Sequence, residues 1–77
     1  MLRREIVAFL AQGPKPEQIV AFRPSENVVR RARDLRTRNE AGEITPEEEA
    51  EMDELADIDN LISLLKAEAR LHLQTSS

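Results

Sequence analysis

One stretch, Thr45 to Leu73, limits what this chain can fold into more than any other. Thr45-Pro46-Glu47-Glu48 is a helix start: a Thr cap, Pro at the first helical position and Glu three residues after the cap. Behind it, Glu49 to Leu73 contains no Gly or Pro and keeps an unbroken apolar rhythm. A helix of about 28 residues over this stretch is roughly 42 Å long. In a chain of 77 residues, the other elements must pack on it.

Its apolar residues predict two faces. Leu55, Ile58, Ile62, Leu65, Ala69 and His72 recur at alternating steps of three and four, a heptad seam. Leu64 and Leu71 fall roughly opposite that seam, with Ala67 close by and Leu61 to one side. A helix that is apolar on two faces requires two partners.

The upstream chain is cut into shorter pieces. Arg3 to Ala11 carries Ile6, Val7, Phe9 and Leu10, and Gly13 and Pro14 stop it. Glu17 to Phe22 carries Ile19, Val20 and Phe22 and ends at Pro24. Neither piece is long enough to be a stable helix alone in water. Ser25 caps a third helix from Glu26 to about Ala41, which Gly42 stops. On its wheel Val28, Ala32, Leu35 and Asn39 share one face. Arg31 and Arg38 lie on one flank, Arg36 on the other, and Arg30 and Arg33 project away. The short turn from Gly42 to Thr45 folds this helix back along the long one.

These readings define an all-α protein: two short N-terminal helices plus an antiparallel helical hairpin with one long C-terminal helix. Residues 1–77 form a single small domain, with short helices over 1–24, a basic helix over 25–42, the long helix over 45–73 and a polar tail over 74–77. Apolar content is 40% with only two aromatics, Phe9 and Phe22, so the core must be thin and aliphatic. Such a core is near the lower size limit for self-sufficiency, which predicts a homo-oligomer or a partner chain. The chain has no cysteine, which excludes disulfides and thiolate chemistry and suits the cytoplasm. Its apolar runs are too short for a membrane span or a signal peptide.

Catalysis finds little support, and the expectation is a non-enzyme with no catalytic residue, no metal and no cofactor. His72 is the only histidine, placed on a helix seam without a second His or Cys to complete a metal site. Glu47, Glu51 and Glu54 offer oxygens to Mg²⁺ or Ca²⁺ in principle, but no Asp-rich loop with a central Gly accompanies them. Gly13 and Gly42 are isolated, which argues against a phosphate-cradling loop.

Charge is distributed unevenly. Residues 23–39 carry a net +4 with six arginines, and residues 40–59 carry −10 with no base at all; either end of the chain is +1. Arg30, Arg31, Arg33 and Arg38 could bind nucleic-acid phosphates, although no aromatic residue interleaves them for base stacking. The competing reading is structural: an acidic helix laid against a basic one pairs arginines with Glu47, Glu48 or Glu51. The acidic block is otherwise a solvated face or a surface for a basic partner.

Three segments carry a family resemblance: Pro16 to Ser25 (PEQIVAFRPS), Gly42 to Asp53 (GEITPEEEAEMD) and Leu64 to Arg70 (LLKAEAR). Over residues 5–73 the chain resembles a family of small bacterial proteins, frequent in cyanobacteria, with an AFRPS…LTPEEEAELD…LLKARAR layout. Glu68 stands where that layout often has a basic residue, and Ile44 replaces Leu. The resemblance implies an antitoxin-like protein encoded beside a nuclease, and therefore a protein partner; it supplies no catalytic residue.

The expected function is a non-enzymatic protein-interaction module that binds and masks a partner such as a toxin or nuclease. Leu61, Leu64, Leu65 and Leu71 would form the apolar anchor, and Glu47, Glu51 and Glu54 the charge complement. A nucleic-acid-binding regulator that uses Arg30, Arg31, Arg33 and Arg38 is the alternative, and a structural subunit of a larger assembly is a third.

Overall fold

The structure, a computed structural model, describes residues 1–75. It is all-α. Four helices, α1 (Leu2–Ala11), α2 (Pro16–Val20), α3 (Glu26–Glu40) and α4 (Pro46–Thr75), account for 80% of the described residues, with no strand among them. None of these helices is long and apolar enough to cross a membrane. The molecule is an elongated body 50 × 20 × 17 Å, whose length is set by α4.

Local chemistry fixes each helix end. At the start of α4, Glu48 N–H donates to Thr45 Oγ1 and Thr45 N–H donates to the Glu48 carboxylate, both at 3.1 Å. This reciprocal exchange satisfies two of the donors that a helix start leaves unpaired. Ser25 Oγ accepts from Val28 N–H at 3.3 Å and so caps α3. At the other end of α3, Gly42 takes a φ of +71°. Glu43 N–H reaches back to the Arg38 carbonyl at 2.9 Å and Gly42 N–H to the Asn39 carbonyl at 3.1 Å. A side chain at position 42 would strain this left-handed turn, hence the glycine.

Two boundaries differ from the sequence reading. The second helix is only the single turn Pro16–Val20: Ala21 caps it with a last N–H bond to the Glu17 carbonyl, and Phe22 N–H turns to the Ile19 carbonyl instead, before Pro24. The polar tail expected from residue 74 is helical through Thr75, whose hydroxyl donates to the Leu71 and His72 carbonyls at 3.1 and 3.2 Å. The rest of that tail, Ser76 and Ser77, lies outside the described residues.

All three shorter helices pack on α4. The core cluster joins Leu2 and Ile6 of α1, Val28 of α3, and Ile58 and Ile62 of α4. Phe9, Phe22, Leu55 and Leu65 pack around it, half-buried, with the two phenyl rings 4.8 Å apart and tilted by 46°. Such a pair adds to the burial of its own area. Two further side chains are buried along the same stripes: Leu35 on α3, completely, and Ala69 on α4. The α4 seam is therefore occupied from Leu55 to Ala69. His72, its expected last member, is exposed and lies 3.5 Å from Glu68.

One link between helices is made by polar atoms. Glu5 of α1 accepts from both the backbone N–H of Ser25, at 2.8 Å, and its hydroxyl, at 2.5 Å. The residue that caps α3 is thus itself held by α1.

Truncating Leu35 removes the only large side chain with no exposure among the described residues. Leu35→Ala is expected to lower unfolding free energy by about 2–5 kcal/mol, whereas Leu64→Ala should change it by no more than about 0.5 kcal/mol. Urea titrations followed by circular dichroism measure both, since the chain has neither Trp nor Tyr; equal losses would mean that the burial pattern is wrong.

Candidate interaction surface

The heptad seam consumes one side of α4 and leaves its other side in solvent. On that outer side Leu64 is 69% exposed, Leu71 55% and Leu61 51%. Leu64 and Leu71 lie about 20° apart on the wheel and Leu61 stands about 60–80° to one side of them, so the three make a broad stripe along the last four turns of the helix. Single exposed apolar residues need no explanation, but three leucines aligned on one helix form a patch.

Leu65, the fourth leucine of the expected anchor, is less accessible than these three. Its position on the wheel turns it toward the seam, where it is half-buried against the core cluster. Neighbouring numbers on a helix point 100° apart, and that step separates Leu65 from Leu64.

The nominated acids also divide. Glu51 receives Arg31 through two bonds, from Nε at 2.7 Å and Nη2 at 3.0 Å. Glu54 pairs with Arg3 at 3.0 Å, both side chains being largely exposed. Glu47 is exposed and makes no ion pair with a described residue. Of the three, only Glu47 remains uncommitted for a partner. Nor do they converge on a cation: among the described residues no three His, Cys, Asp or Glu side chains gather at metal-binding distance.

The arginines of α3 divide just as cleanly. Arg31 reaches Asp34 at 3.1 Å and Glu48 at 3.7 Å in addition to Glu51. Arg38 reaches Glu48 at 3.2 Å and Asp34 at 3.4 Å. The five side chains make one network along the α3–α4 contact, with Glu48 its least exposed member. Arg30, Arg33 and Arg36 are exposed and have no ion-pair partner among the described residues. The set Arg30, Arg31, Arg33 and Arg38 therefore does not form one surface: two of its members face α4 and two face solvent. Their flank on the wheel shows this division; which acid each reaches depends on how α3 crosses α4.

The hydrogen bonds from Arg31 hold the Glu51 carboxyl below its ordinary value near 4.5, and they raise the Arg31 guanidinium further above its own. The Ser25 hydroxyl, and then the Ser25 N–H, do the same to Glu5. The tie from Glu5 to Ser25 has no sequence signal, because no periodicity relates residues 20 apart on different helices.

Comparison with known proteins adds no relative: no family model matches the chain, and no curated protein or solved structure does so.

Depressed carboxyl values tie this network to pH. Glu5 and Glu51 contribute stability that is complete above the unfolded value near 4.5 and is lost as pH falls through their lower folded values. Urea midpoints should therefore fall on acidification from about pH 6 to about pH 3, and less steeply for a Glu5→Gln, Glu51→Gln double variant. Parallel slopes would show that neither bond contributes.

Proposed function

We propose that the protein is a non-enzymatic interaction module, an antiparallel α3–α4 hairpin braced by α1 and α2, that binds a protein partner through the outer face of α4. The observation that carries this reading is the exposed stripe of Leu61, Leu64 and Leu71, on the side of α4 away from the core. Glu47 belongs to the same helix and supplies charge, which acts on encounter rate and specificity more than on affinity. Leu65, Glu51 and Glu54 serve the fold instead. An antitoxin-like role, in which the bound partner is a toxin or a basic nuclease, fits an acidic chain with this apolar stripe and agrees with the resemblance of its three motifs.

Arg30 and Arg33 support the second reading, a nucleic-acid-binding regulator, because they are exposed and unpaired among the described residues. Binding through them would weaken steeply with salt. Two phosphate contacts, or three with Arg36, are a small footprint, and Arg31 and Arg38 cannot extend it without breaking their pairs with Glu48 and Glu51.

The test uses the tagged protein in its native cells. Affinity capture should recover one stoichiometric protein, and Leu64→Asp with Leu71→Asp should abolish that recovery while leaving the helical circular dichroism unchanged. Recovery of nucleic acid alone, sensitive to Arg30→Glu and Arg33→Glu, would replace the first reading with the second.

A further inference from the structure

The two edges of α3 are finished differently. Along one, Arg31 and Arg38 close the contact with α4. Along the other the helices stand apart around a groove of about 450 Å³. Its α3 wall is built from Val29, Ala32, Arg33 and Arg36, and its α4 wall from Met52, Ala56 and Asp59. Leu2 and Pro24 stand at the end nearest the start of α3. Val29 is 44% exposed although it belongs to this apolar surface.

Charge is arranged lengthwise in the groove. Asp59 is at the end near Pro24, since Val28 at the beginning of α3 shares the core with Ile58. Arg33 and Arg36 lie one to two turns further along, about 12 Å from Val28 to the second of them. Arg30, Arg33 and Arg36 also follow at steps of three, a spacing at which like charges repel on a helix surface. None of the three makes an ion pair with a described residue, whereas Arg31 and Arg38 on the closed edge are each met by two or more carboxylates. Arginine takes carboxylates in a planar two-bond fork, which makes the open edge a receptor for acids rather than a neutral wall.

We propose that this groove docks an acidic amphipathic helix of a partner protein. Carboxylates one turn apart on that helix meet Arg33 and Arg36, and its apolar side chains lie over Val29, Ala32, Met52 and Ala56. Asp59 repels acids at the opposite end, so the carboxylates are confined to one end of the docked helix and its direction is set. The apolar floor separates this ligand from a nucleic-acid backbone, which would leave that floor uncovered. Leu64 and Leu71 do not line the groove, so the site is independent of the outer face of α4 and stands or falls separately.

A fluorescein-labelled helix-forming peptide of about four turns, with two Glu one turn apart ahead of a Leu and Ala stripe, tests the site by anisotropy and amide NMR shifts. The peptide should bind saturably and shift Val29, Ala32, Met52 and Ala56. Binding should weaken by about tenfold or more with Arg33→Glu plus Arg36→Glu, and equally when Lys replaces both Glu of the peptide. Arg30→Glu, the same substitution at one site outside the groove, should alter it by no more than about twofold, as should Leu64→Asp plus Leu71→Asp. The proposal is overturned by absence of saturable binding, by equal binding of the Lys peptide, or by shifts centred on Leu64 and Leu71. It is equally overturned if a labelled DNA duplex, and not the peptide, binds in a manner that needs Arg33 and Arg36.

Discussion

Burial along one side of α4 is the constraint from which the rest of the structure follows. The helices α1 and α2 are 10 and 5 residues long, below the length at which a helix persists in water. Each is held by packing on α4. Leu2 and Ile6 come to it from α1 and Val28 from α3, and all of them meet Ile58 and Ile62. The outer leucines are what remains exposed once three short elements have been seated on one long one.

Electrostatics then refine an arrangement that burial has already chosen. Exposed ion pairs contribute little individually, but the network of Arg31 and Arg38 with Asp34, Glu48 and Glu51 is partly shielded and has several members. It fixes which edge of α3 faces the acidic half of α4. The same choice turns Arg33 and Arg36 to the other edge, so the charge available for binding is largely a by-product of how the charge used for folding was placed. An acidic chain thereby acquires a local basic edge, and net charge alone misjudges what such a surface can attract.

Features with a period or a local motif were legible in the sequence. The Thr45 start, the Gly42 stop and the Ser25 cap are local chemistry, and each forms the bonds its residue types allow. The seam through Ile58 and Ile62 and the exposed position of Leu64 and Leu71 follow from angle on a wheel. The wheel also turns Leu65, about 100° from Leu64, toward the seam, where it packs half-buried against the core cluster. Features that depend on how elements cross were not legible: the Glu5 bond to Ser25, the choice of Glu48 and Glu51 over Glu47 as arginine partners, and the groove beside Arg33 and Arg36. A wheel gives direction from one axis, and these contacts need the distance between two.

The central claim is that one side of α4 is folded against and the other is presented. Leucine methyl NMR with a soluble paramagnetic agent measures it most directly, because leucines occur on both sides and each methyl reports its own access to solvent. The account predicts strong relaxation at Leu61, Leu64 and Leu71, weak relaxation at Leu2 and Leu35, and intermediate values at Leu55 and Leu65. Protection of Leu64 and Leu71 equal to that of Leu35, in the dilute protein alone, would contradict it.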